Sequence, residues 1–269
     1  MRASSRRCYY LVSTAGIPNL GDELIAASWL RHLRQVAPDA DVVLDCVNPA
    51  AVAAPLASMH PRLRLVSTLW QLCFQNWSAG IDAAAEVGAA VADPTHTGSL
   101  RDGIELLRQA DVVHLTGGGF LNGIWPQFLG LLAGITEATQ RSGAVAAVTG
   151  VGLWPPVPGG ENLLAELAAR FDVLDVRDEA SAKLLPDLAR YSCDDAFLRV
   201  ADWSAAESVE LPSVMVSLQF TVRPQRLFPA VQAAAEPADS PRGQLRERAM
   251  ARLVTFAHDT LEAWGVEEC

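Results

Sequence analysis

Residues 111–122 read DVVHLTGGGFLN, a short apolar segment of β character, Asp111 to Leu115, that empties into Gly117, Gly118 and Gly119. Consecutive glycines at a strand end let backbone amides approach a phosphate or carboxylate where any Cβ would intrude. The chain repeats the idea at its start. CYYLVSTAGIPNLGDE, residues 8–23, passes from a strand-like run through Gly16, Asn19 and Gly21 into Asp22 and Glu23. Two such junctions predict a ligand crevice above a parallel sheet.

Working outward, strands and helices alternate. Ile25, Trp29, Leu33 and Val36 recur at three- and four-residue intervals, the pattern of a helix laying one face on a sheet. DVVLDCV, residues 41–47, reads as a second strand, 48–59 as a turn or short helix, and 64–69 as a third strand. Helices are expected over 81–92, 100–109, 126–141, 161–169 and 179–188, and strands over 111–115, 144–152 and 172–176. This order implies βα crossovers and a mostly parallel, Rossmann-like sheet with helices on both faces. Residues 1–200 form the expected N-terminal domain and 201–212 a linker. Residues 213–269 offer one strand, near 213–220, and one helix carrying Leu253, Ala257, Leu261 and Trp264. That is too little to enclose a second core, so an incomplete or reduced second lobe is expected.

The chain has 269 residues, half of them apolar, enough for a sizeable core. Its formal net charge of -10 gives no electrostatic reason to expect nucleic acid or an anionic membrane surface as a partner. Cys8, Cys46, Cys73, Cys193 and Cys269 are dispersed, with no CxxC pair and no closely spaced histidine. Neither structural zinc nor a disulfide framework is expected, and a reducing, cytoplasmic compartment fits. No stretch has the unbroken apolar length of a membrane span.

The polar groups at the strand ends each allow two readings. Asn19 and Asp22 satisfy local backbone donors, with Asp22 a candidate helix N-cap, or they contact a ligand. Asn122 closes the triple-glycine stretch. Gly150 and Gly152, in TGVGLWPP (149–156), form another strand-end turn, and Trp154 shapes a pocket or covers the core. In DVRDEAS (175–181), Arg177 binds a carboxylate or phosphate or pairs with Asp178, and Ser181 opens a helix. Asp194 and Asp195 are paired acids at a turn, with a weak case for a cation or a sugar hydroxyl. His114 precedes the glycine run and reads as a packed residue rather than a proton donor. The glycines form neither a GxGxxG dinucleotide fingerprint nor a GxxxxGK[ST] phosphate loop, and there is no GxSxG elbow.

The ordered set GIPNLGDE, HLTGGGFLN, TGVGLWPP and DVRDEAS resembles the polysaccharide pyruvyl transferase family over about the first two thirds of the chain. The resemblance implies the first lobe of a two-lobed, GT-B-like protein. It also implies transfer of an enolpyruvyl-derived group from phosphoenolpyruvate to a carbohydrate, forming a pyruvate ketal in cell-envelope biosynthesis. On it, Gly21 and Asp22 match the family's early Gly-Asp signature, Gly117, Gly118 and Gly119 its glycine-rich strand end, and Gly150 and Gly152 the next Gly-x-Gly turn. Arg177, Asp178 and Ser181 match its Arg-Asp-x-x-Ser segment. Asn19, Gly21, Asp22, Gly117, Gly118, Gly119, Asn122, Gly150, Gly152, Arg177 and Ser181 are therefore the expected substrate-binding set, with Arg177 the anion contact. A catalytic histidine is expected from the second domain and is not assigned. No metal or cofactor is expected. Other readings are a GT-B-like glycosyltransferase using a nucleotide sugar, and a noncatalytic carbohydrate-binding or assembly protein. A homo-oligomer, or a partner completing the second lobe, fits each of them.

Overall fold

A computed structural model describes residues 6–17 and 19–199, all within one compact unit. Seven strands form its sheet: β1 (Cys8–Ser13), β2 (Asp41–Cys46), β3 (Leu63–Val66), β4 (Val112–Leu115), β5 (Val145–Val151), β6 (Val173–Val176) and β7 (Arg190–Tyr191). Their order is β3-β2-β1-β4-β5-β6-β7, and every neighbouring pair is parallel. The helices between them are α1 (Leu20–Val36), α2 (Pro49–Leu56), α3 (Leu69–Gln75), α4 (Ala83–Ala92), α5 (Arg101–Arg108), α6 (Leu129–Ser142), α7 (Glu161–Ala168) and α8 (Glu179–Leu184). The Rossmann-like α/β sheet is the expected one. Among the described residues there is no second lobe, and the expected linker 201–212 and the segment 213–269 lie outside them.

From β1 the strands step one way to β3. Then α3, α4 and α5 carry the chain back to the other side of β1, where β4 to β7 step the opposite way. The order reverses between β1 and β4, and the connections leaving those two strand ends part there, which opens a crevice.

Each face of the sheet buries its own layer. Leu11, Val42 and Leu44 pack against Ala26, Ala27, Leu30 and Leu33 of α1 and Val52 and Leu56 of α2. The α1 stripe is rotated from the expected one: Leu30 is fully buried, whereas Val36, in the last turn, is 62% exposed. On the opposite face α6 is buried along most of its length. Gly130 and Gly134 allow its close approach: a Cβ on Gly134 would stand 2.5 Å from Leu69 Cδ2 and one on Gly130 2.9 Å from Val87 Cγ2.

Three elements depart from the sequence expectation. Leu69 opens α3 instead of ending the third strand. Thr68 makes no side-chain cap, and the missing acceptor comes from Asp45 at the end of β2, which takes the Thr68 and Leu69 N–H groups at 2.9 and 2.8 Å and the Tyr10 hydroxyl at 2.8 Å. A cap supplied by a distant strand leaves no local signature. Helix α8 stops at Leu184, just before Pro186, and the chain then pairs as the two-residue β7, too short to show alternation.

Candidate functional site

The glycines at the strand ends make gaps that the protein's own charged side chains fill. Asp195, in the turn after β7, is buried there. Its Oδ2 accepts from Gly117 N–H at 2.8 Å, from Trp29 Nε1 on α1 at 2.8 Å and from the Thr149 hydroxyl on β5 at 2.6 Å. A Cβ on Gly117 would meet Asp195 Cβ at 3.0 Å, and one on Gly150 would meet Asp195 Oδ1 at 2.5 Å. The carboxylate that the triple glycine admits thus belongs to the same chain. Gly118 extends the β4–β5 pairing, its carbonyl accepting from Gly152 N–H at 2.9 Å.

The second pair of gaps holds a cation. Where Gly119 would carry a Cβ, Arg177 Nη2 is 2.9 Å away; where Gly152 would, Arg177 Nε is 2.9 Å away. The guanidinium lies across the ends of β4 and β5 and donates from Nη1 to Asp194 Oδ2 at 2.9 Å. Its contact with the adjacent Asp178 is longer, 4.0 Å from Nε. A side chain 35% exposed keeps part of this fork open to solvent. Asp22, in the first turn of α1, shares the crevice: burial pushes its carboxyl above the usual value, the Arg177 charge opposes the rise and Asp194 adds to it. One Arg among several carboxylates at strand ends suits a ligand that brings an anionic group for the guanidinium and hydroxyls for the acids.

The family profile described as "Polysaccharide pyruvyl transferase" matches residues 19–217, most of the chain, from Asn19 of the first motif through the later glycine turns and the Arg177 segment. The chain belongs to the polysaccharide pyruvyl transferase family. Among solved structures, a short-chain dehydrogenase/reductase (wide type) from Veillonella parvula DSM 2008, in complex with NADP, is 12% identical over 76% of this chain and 89% of its own, with a TM-score of 0.35. A comparison with curated proteins finds no match.

The other residues of this pyruvyl transferase family member singled out from sequence fall into place around that core. Asn19, not Asp22, is the N-cap of α1: its Oδ1 accepts from Gly21 N–H at 3.0 Å and its Nδ2 donates to Asp22 Oδ2 at 2.8 Å. Asn122 is buried and folds the loop after the glycines, donating to Gly119 O at 2.8 Å and accepting from Ile124 N–H at 2.9 Å. Ser181 is fully buried, and its hydroxyl takes the Leu153 N–H at 2.7 Å, anchoring the turn that follows Gly152. Asp178 caps α8 through the Ser181 N–H at 2.7 Å. Trp154 is 59% exposed on the loop after β5.

His114 is packed edge-on against Trp29, ring centroids 4.4 Å apart, with its Nε2 2.8 Å from the Thr149 hydroxyl. Since Thr149 gives its only hydroxyl proton to Asp195, its oxygen accepts from His114, which places the imidazole proton on Nε2. Burial lowers His114 to about 4, the Asp195 charge opposing only in part. Asp194 and Asp195, weak candidates from sequence, organise the whole site; their adjacency was the available signal, and their partners lie 17 and 78 residues away. Among the described residues no three His, Cys, Asp or Glu side chains converge as metal ligands, and no helix is long and apolar enough to cross a membrane.

Proposed function

We propose that this protein binds phosphoenolpyruvate through Arg177 and transfers its enolpyruvyl-derived group to a carbohydrate of the cell envelope as a pyruvate ketal. The observation that carries the reading is the Arg177 guanidinium lying over Gly119 and Gly152 at the strand ends, in a chain of the pyruvyl transferase family. Phosphoenolpyruvate presents a carboxylate and a phosphate, and a guanidinium takes either one through two parallel N–H···O bonds. Asn19, Gly21 and Asp22 at the start of α1, with Gly117, Gly118, Gly119, Asn122, Gly150, Gly152 and Ser181, shape the pocket that receives donor and acceptor.

In the reaction, a sugar hydroxyl attacks C2 of the donor and gives up its proton while the methylene carbon takes one up and becomes a methyl group, so the addition is proton-neutral. A second hydroxyl of the same sugar then attacks C2, closes the ketal and expels phosphate, which carries away the second hydroxyl proton. Positive charge at the donor's anionic groups stabilises both steps. The reaction belongs in the cytoplasm, where phosphoenolpyruvate is made, and its general acid and remaining cations are to be supplied by a second lobe or a partner.

Calorimetric titration of the full chain with phosphoenolpyruvate, with a uridine diphosphate sugar in parallel, tests the reading. Selective phosphoenolpyruvate binding that weakens in Arg177→Ala while the fold is retained supports it. Selective binding of the nucleotide sugar would replace it with a glycosyltransferase, and unchanged affinity in Arg177→Ala would remove that residue from the site.

A further inference from the structure

Arg177 is a long side chain with several rotatable bonds, and an anion site built on it needs the guanidinium fixed in advance. Among the described residues its closest ionic partner is Asp194, which takes Nη1 at 2.9 Å and leaves the Nε–Nη2 edge lying over Gly119 and Gly152. With the side chain 35% exposed, part of the guanidinium so fixed is open to solvent, and such a group binds a carboxylate or phosphate. Asp194 is itself held. Its Oδ1 accepts the Ala196 N–H at 2.9 Å, and its chain neighbour Asp195 is tied down by donors from α1, the β4 end and β5.

We infer that Asp194 is the positioning residue of the anion site: it holds the Arg177 guanidinium over the strand-end glycines so that the carboxylate or phosphate of the donor meets a cation already in place. This rests on the reading of Arg177 as the donor's anion contact. Asp194 touches no substrate in this role, and its negative charge works against anion binding. Electrostatics and positioning therefore predict opposite signs for its removal. Neutralising Asp194 strengthens anion binding if charge alone matters and weakens it if the orientation of Arg177 matters.

Asp194→Asn is close to isosteric. It keeps one oxygen for Ala196 N–H and sets an uncharged amide against Arg177. The test is calorimetric titration of wild type, Asp194→Asn and Asp194→Glu full chains with phosphoenolpyruvate. Alongside it, the Arg177 side-chain N–H signals are followed by NMR in the free proteins, assigned by comparison with Arg177→Lys. The expected result is affinity about tenfold weaker in Asp194→Asn, partial recovery in Asp194→Glu, and separate, slowly rotating Nη signals of Arg177 in wild type that merge in Asp194→Asn. Equal or tighter binding by Asp194→Asn overturns the inference. If wild type does not bind phosphoenolpyruvate, the functional reading fails and the NMR arm decides the positioning role: merging of the Arg177 signals upholds it, and identical signals in both proteins overturn it.

Discussion

The carboxylate of Asp195 occupies the space that Gly150 leaves open, its Oδ1 2.5 Å and its backbone nitrogen 2.7 Å from where a Gly150 Cβ would stand. Gly150 also has φ of +56°, a conformation costly for any residue with a side chain. Backbone atoms cannot swing aside as the tip of a flexible side chain can. Gly150→Ala is therefore expected to cost about 3 kcal/mol or more by denaturant unfolding, combining overpacking with a left-handed backbone. Gly143 supplies the control: its φ is +72° but nothing lies within 4 Å of its Cβ position, so Gly143→Ala should cost only about 1 kcal/mol. Equal losses in the two variants would show that Asp195 yields easily.

Removing Asp195 should be felt at three elements together. Asp195→Ala leaves the Trp29 Nε1–H, the Gly117 N–H and the Thr149 hydroxyl without their common acceptor. A loss of about 3 kcal/mol or more is expected, with an upfield shift of the Trp29 indole N–H in NMR spectra. Asp195→Asn, which retains one oxygen, should lose less, about 1–3 kcal/mol.

Asp45 links stability to pH. Burial pushes its carboxyl up to about 6 from 3.8, against the N–H groups of Leu69 and Thr68 and the Tyr10 hydroxyl. The folded protein thus holds a proton that the unfolded chain has released. The resulting stabilisation is fully present below 3.8 and is lost as pH rises through about 6. Asp45→Asn cannot titrate, so the stability of wild type relative to Asp45→Asn should grow as the pH is lowered from 7 to 4. A difference that shrinks instead would mean that the N–H groups opening α3 favour the ionised carboxylate.

His114 has the opposite sign. Its folded value of about 4 lies below the usual 6.5, so its stabilisation is present above 6.5 and lost as pH falls through about 4. Nitrogen NMR shifts of the folded protein should report a neutral ring protonated on Nε2 from pH 7 down to 5. Titration near 6.5 would contradict the buried hydrogen-bond chain from His114 through Thr149 to Asp195.

Much of the architecture is local and was readable. Tyr9 to Val12 and Val42 to Leu44 are runs of apolar and β-branched residues, as are Val112 and Val113, and each leads into a polar or glycine-containing stretch. With the helical spacings between them, they specify an alternating parallel α/β sheet. The helix α3 and the strand β7 were not readable. One has its N-terminal acceptor on β2, and the other is two residues long beyond a proline.

At the site the division is sharper. The missing Cβ atoms at Gly117, Gly119, Gly150 and Gly152 were legible as places of close approach, because the lack of a side chain is a property of each residue alone. What enters those spaces depends on which segments the topology brings to the strand ends. The turn after β7 returns to β4 and β5 and delivers Asp195 to one pair of gaps, while Arg177 from the end of β6 fills the other with Asp194 beside it. Local patterning specifies strands, helices and vacant positions, since these follow from backbone preference and burial period. The charges that fill the vacancies are set by contacts between residues far apart in sequence, which only the folded chain brings within reach.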